Sequence, residues 1–191
     1  MGDFMDFFDL HCDTLTECMD DGDSLLKNER DIDFERGSIF GRWNQVFAVF
    51  VPDSMDDSLV EGYFDSACNF YFDELKKKGD VFPILSSEDV RGHSRGVMLA
   101  MESSRGVGSL ERLEKLYERG LRLITLTWNH KNRAAGGCDE GGGLTDWGRE
   151  LVSKMEKLGI VTDVSHLSDR SFYDLCEFSD APFIASHSDA R

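Results

Sequence analysis

The chain has 191 residues, 40% of them hydrophobic and 14 of them Phe, enough apolar material for the core of one domain, read as residues 1–191. Thirty-seven acidic against 21 basic side chains leave a net charge of −16, which repels phosphate backbones and argues against nucleic-acid binding. No apolar run approaches the roughly 18 residues of a membrane span. The start, MGDFMDFFDLHCD, has acids where an export signal needs basic residues, so no membrane attachment or export is expected.

Six short apolar runs read as buried parallel strands: residues 4–10 (FMDFFDL), 45–51 (QVFAVFV), 96–101 (GVMLAM), 121–127 (LRLITLT), 159–164 (GIVTDV) and 181–186 (APFIAS). Amphipathic stretches alternate with them. Leu59, Val60, Tyr63, Phe64, Ala67, Phe70, Tyr71 and Leu75 keep helical spacing, closed by three lysines and Gly79. Leu110, Leu113, Leu116 and Tyr117 repeat it before Gly120. Thr145 is placed to cap a helix carrying Trp147, Leu151, Met155 and Leu158 and ending at Gly159, and Ser168 another with Phe172, Leu175 and Cys176. Strand–helix alternation without hairpin turns predicts an α/β fold with a parallel sheet, either an open doubly wound sheet or a (β/α)8 barrel. The glycine-rich stretch 134–143 (AAGGCDEGGG) lacks the lysine of a phosphate loop and is expected to be a flexible loop after the fourth run, over the face where active sites sit.

Candidate chemistry lies at the strand ends. Asp9, His11 and Asp13 are spaced i, i+2, i+4, so an extended chain puts all three on one face. Burying two acids and a histidine without a partner is costly, and a metal ion is a suitable partner; a plain strand-end hydrogen-bond cluster is the alternative. Glu102 follows an uncharged run, and His166 and His187 each follow a Ser just past a strand. C-terminal strand ends of a parallel sheet open on one face, so His11, Asp13, Glu102, His166 and His187 are expected to meet there. Five nitrogen and oxygen ligands exceed one tetrahedral site. They suit two metals sharing one carboxylate, whose chemistry is hydrolysis by an activated water. Cys12 is expected to point away from this site into the core, and His93, before a strand, to lie exposed at the opposite end. The five cysteines are odd in number and lack C-x-x-C spacing, which fits a reducing cytoplasm.

Taken in order, DLHCDT, DIDFERG, FAVFVP, AMES, LITLTWNH, GGLTDWGRELVSKMEKLGIVTDVSHLS and APFIASHSDAR resemble the membrane dipeptidase (renal dipeptidase) family, peptidase family M19, over essentially the whole chain. The most specific part is DVSHLS with the later S-H-S-x-x-R. The resemblance implies a (β/α)8 TIM barrel of the metal-dependent hydrolase type, with two Zn2+ per complete chain, that cleaves dipeptides and often accepts a D-residue at the C-terminal position. It places His11 and Asp13 on one zinc, His166 and His187 on the other, and makes Glu102 the bridging, catalytic carboxylate. Many members carry a substrate-contacting histidine where this chain has Trp128; His130, two residues on, is the substitute candidate. The family's substrate-binding arginine and catalytic aspartate lie beyond the S-H-S motif, and Arg191 is assigned neither role. The expectation is therefore an incomplete barrel, about six of eight strand–helix units. Its open edges favour self-association, and a homodimer is among the assemblies left open. Two alternatives stand beside the dipeptidase: a catalytically incomplete or degenerate fragment, and a related amidohydrolase acting on another amide or ester.

Overall fold

A computed structural model describes residues 5–188; Arg191 lies outside them. Seven strands form one sheet: β1 (Asp6–Asp9), β2 (Arg42–Phe50), β3 (Phe82–Pro83), β4 (Arg95–Glu102), β5 (Leu121–Thr125), β6 (Val161–Asp163) and β7 (Phe183–Ile184). The order is β1-β2-β4-β5-β6-β7, every pairing parallel, with the two-residue β3 beside the start of β4. The six-strand path is a curled, partial barrel of the expected α/β type, and among the described residues β1 and β7 each pair on one side only.

Alternation along the strands decides which face buries what. Trp43, Phe47 and Val49 of β2, with Val97, Leu99 and Met101 of β4, join the main core. Against them pack Phe64 and Ala67 of α2 (Asp57–Lys77), Leu113 and Leu116 of α4 (Leu110–Glu118), Leu151, Val152 and Met155 of α5 (Asp146–Leu158) and Leu175 of α6 (Asp169–Phe178). The intervening Val46, Ala48, Ala100 and Leu123 form a smaller cluster on the other, concave face. Each large side chain fully buried contributes about 1.5–3 kcal/mol.

The capping chemistry follows the sequence at most helix ends. Thr145 Oγ1 accepts from Gly148 N and Ser168 Oγ from Ser171 N, and Gly159 takes the left-handed conformation that ends α5. Three expectations change. Leu59 is exposed rather than on the buried stripe, because Val60 and Phe64 set that stripe's centre. Helix α2 stops at Lys77 with Lys78 extended, so Gly79 is not its cap. Residues 14–21, not anticipated as helical, form α1 (Thr14–Asp21), closed by Gly22 at φ 71°.

The first part of the glycine-rich stretch is packed, and its later residues 138–140 are exposed. Ala134 to Gly137 are buried, Gly136 N donates to Ser171 Oγ at 2.9 Å, and Cys138 N donates to the His166 carbonyl at 2.9 Å. His93 does stand before β4, yet it is half-covered, stacked on Phe82 with centroids 4.1 Å apart. Cys12 packs against the main core, and burial pushes its thiol up to about 12. No helix among the described residues is long and apolar enough to cross a membrane.

Candidate metal centre

The sheet register explains why distant residues meet. Phe50 pairs with Glu102, Glu102 with Thr125, Thr125 with Asp163, and Asp163 with Ile184, one rung across the C-terminal ends of five strands. Glu102 continues the Met98–Ala100 side of β4, so it points into the concave face. His166 and His187 each sit three residues beyond their rung positions, Asp163 and Ile184, and arrive at matching heights.

Three imidazoles surround the Glu102 carboxylate. His11 Nε2 is 3.4 Å from Oε2, while His166 Nε2 and His187 Nε2 are 3.1 and 3.6 Å from Oε1. His166 Nε2 and His187 Nε2 lie 2.7 Å apart, and His11 Nε2 lies 3.3 Å from Asp13 Oδ1. Glu102 itself is 2% exposed. Burial opposes its charge, but the closely facing imidazoles of His166 and His187, with that of His11, hold its carboxyl well below the usual range. Burial also opposes a charged His11, yet Asp13 and Glu102 together raise its pKa. Among the described residues the ion-pair partners of Glu102 are all histidines.

Asp9 stands apart from the other two members of its triplet. Strand β1 ends at Asp9, whose Oδ2 takes a hydrogen bond from Gln45 Nε2 at 2.9 Å, and the chain then turns into α1 with Asp13 at its N-terminus. Trp128 flanks the cluster, its ring centroid 6.4 Å from that of His166. His130 does not join the cluster: its Nδ1 is 2.7 Å from Asp53 Oδ2, in a broad polar cleft shared with Arg105, Lys131 and Arg133.

Among the described residues, two outside glycine adopt left-handed φ, Ser103 at 76° and His166 at 65°. Each costs about 1–3 kcal/mol; Ser103 directly follows β4, and His166 lies three residues past the end of β6. Supporting residues not singled out in the sequence complete the picture. Asn129 Oδ1 is 2.9 Å from His166 Nδ1, Ser186 Oγ is 2.7 Å from His187 Nδ1, and the wholly buried Asp163 holds Ser186. The Asp-x-x-His spacing of DVSH was the available signal for Asp163; Asn129 had none, because its pairing crosses between loops.

The donor set fits a divalent transition metal. Two carboxylates and three imidazoles are ordinary Zn2+ ligands. Nδ1 of His166 and of His187 each has a protein partner, which turns Nε2 toward Glu102 in the manner of ligating histidines.

A family model described as membrane dipeptidase (peptidase family M19) matches residues 3–191. The chain is 40% identical over 88 residues to an uncharacterized dipeptidase of Schizosaccharomyces pombe, covering 43% of this chain and 21% of that one. The solved dipeptidase AC, a metallopeptidase of family M19, superposes with a TM-score of 0.86 at 22% identity, covering 97% of this chain and 63% of the other. A metallopeptidase of Rhodobacter sphaeroides, solved with a phosphinate mimic of the dipeptide L-Ala-D-Ala, gives 0.83 at 20% identity, covering 97% and 66%. The chain thus spans less than two thirds of the length of each of these proteins.

Proposed function

Because this chain belongs to the membrane dipeptidase family, peptidase family M19, we propose that the cluster around Glu102 is the metal centre of a zinc-dependent dipeptidase. His11 and Asp13 would hold one ion, His166 and His187 a second, with Glu102 shared. Bound there, such a pair acidifies a water and polarises the carbonyl under attack.

The chain's own groups prepare the place. The low-pKa carboxylate of Glu102 supplies fixed negative charge in a buried pocket. Asn129 and Ser186 hold two imidazoles in register, and Trp128 with Phe50 walls one side against solvent. In the net reaction a water's hydroxyl joins the carbonyl carbon, the C–N bond breaks, and the proton goes to the leaving amine. The odd number and the spacing of the five cysteines support a cytoplasmic setting.

The observation that carries this reading is the convergence of three imidazoles, from the β1, β6 and β7 ends, on one buried carboxylate from β4. The test is metal analysis by plasma emission of the zinc-loaded protein and its Glu102→Gln variant, with hydrolysis of dipeptides bearing L- or D-residues at the C-terminal position. Two ions are expected for the wild type and a loss of the pair for the variant, since a neutral amide cannot offset two cations. A wild type without bound ions, or a variant of unchanged stoichiometry, sinks the shared site.

A further inference from the structure

The Asp163 carboxylate, at the end of β6, is wholly buried and receives four hydrogen bonds. Its Oδ1 accepts from Ser165 N at 3.1 Å and Ser186 N at 3.0 Å. Its Oδ2 accepts from the hydroxyls of Thr125 at 2.7 Å and Ser186 at 2.6 Å. One side chain therefore ties together the ends of β5, β6 and β7.

The hydrogen bonds continue from Asp163 through Ser186 to His187. A carboxylate only accepts, so the single hydrogen of the Ser186 hydroxyl is committed to it. Ser165 Oγ, 3.3 Å from Ser186 Oγ, is not a competing acceptor: it already takes His187 N–H and the Ser188 hydroxyl, each at 3.2 Å. Ser186 Oγ thus meets His187 Nδ1, 2.7 Å away, with a lone pair. Nδ1 must carry a hydrogen, and in the neutral ring that leaves the lone pair on Nε2. That is the atom aimed at Glu102 and His166.

We propose that Asp163 is a positioning residue which, through the Ser186 hydroxyl, fixes His187 as its Nδ1–H tautomer and so presents the Nε2 lone pair to a divalent cation. The proposal rests on the metal-centre reading of His187 and gives that site a polarity relay three groups deep. The carbonyl of Asn129 does the same for His166 in one step.

The test uses the full chain, metal-free and labelled with 15N, at about pH 8, where a free imidazole is neutral. Long-range 1H–15N correlation, with the His187 signals assigned by their loss in His187→Gln, should show a protonated Nδ1 and a bare Nε2. Asp163→Asn reverses the relay, because an amide donates to Ser186, and should move His187 toward the Nε2–H form. Zn2+ titration should show a dissociation constant raised about 10- to 100-fold, as for other groups supporting metal ligands. Should Asp163→Asn fail to fold, Ser186→Ala makes the same case: it should lose the tautomer preference and the affinity, and Ser186→Thr should restore both. A wild-type His187 protonated at Nε2, or a Ser186→Ala protein with wild-type tautomer and affinity, overturns the proposal. If the wild type binds no Zn2+, the metal-centre reading falls, and the tautomer spectrum alone decides the relay.

Discussion

Trp128 meets Phe50 edge to face, with ring centroids 5.0 Å apart and planes at 75°, beside the rung that carries Glu102. Such a pair contributes about 0.5–1.5 kcal/mol beyond its buried area. It builds an apolar wall, and the indole N–H can donate but not accept. If the proposed dipeptidase reading holds, Trp128→Ala should raise KM for dipeptides with large apolar side chains by about tenfold or more, the scale of a lost hydrophobic contact, and change that for Gly-Gly much less. Equal effects on both substrates would deny the wall a role in side-chain recognition.

His130 is bound to Asp53 twice, by its backbone N at 3.1 Å and its ring Nδ1 at 2.7 Å. The hydrogen bond to Asp53, followed by the charge of that carboxylate, raises the pKa of His130 although the side chain is solvated. The folded state therefore favours the proton. The pair's contribution is complete below the free value of about 6.5 and is lost as pH rises through the raised folded value. An NMR titration should place the His130 midpoint above that free value, and Asp53→Asn should bring it back. A wild-type midpoint at or below the free value rules the pair out.

The elements that sequence made legible are those whose signal is local. Strands β2 and β4 are built around the apolar runs 46–50 and 96–101, and the caps at Thr145 and Ser168 are read from single residues. The site is legible because parallel strands deliver their ends to one face, which places His11, Asp13, Glu102, His166 and His187 together from strand order alone. What stayed hidden depends on pairing between segments. Strand β3 is two residues paired, among the described residues, with β4 alone, α1 is only eight residues long with a stripe of Leu15, Cys18 and Met19, and the packing of the 134–137 glycine stretch comes from contacts with α6 and His166. Asp163 sat in plain view inside GIVTDV but read as a strand residue, because its partners lie 38 and 23 positions away in the chain.

The cysteines divide into two classes. Burial pushes the thiols of Cys18 and Cys68 up to about 11 and about 12, and that of Cys12 up to about 12, whereas Cys138 and Cys176 are exposed, although partial burial and Asp139 raise the Cys138 thiol as well. Thiolate is the reactive form. At about pH 8, Ellman's reagent should react quickly with two thiols per native chain and with all five after denaturation. Rapid reaction of all five in the native protein would contradict the packing of α1 and α2 against the sheet.

Two helical glycines should respond to Ala in opposite directions. Alanine normally gains about 1 kcal/mol over glycine inside a helix. At Gly62, exposed on α2, an added Cβ meets nothing within 4 Å, so Gly62→Ala should show that gain. At Gly148, in the first turn of α5, the Cβ would stand 2.1 Å from the Ala134 carbonyl oxygen. That carbonyl cannot easily retreat, because Thr145 holds it through its N–H at 2.9 Å and its hydroxyl at 3.1 Å. Overpacking of this kind costs about 1–3 kcal/mol, more than the propensity gain at the upper end, so Gly148→Ala should lower the urea midpoint where Gly62→Ala raises it. The strain falls on the loop that also carries Asn129, the partner of His166, so Gly148→Ala should weaken Zn2+ binding while Gly62→Ala leaves it unchanged. A stabilised Gly148→Ala protein would mean that α5 does not pack this closely on the loop.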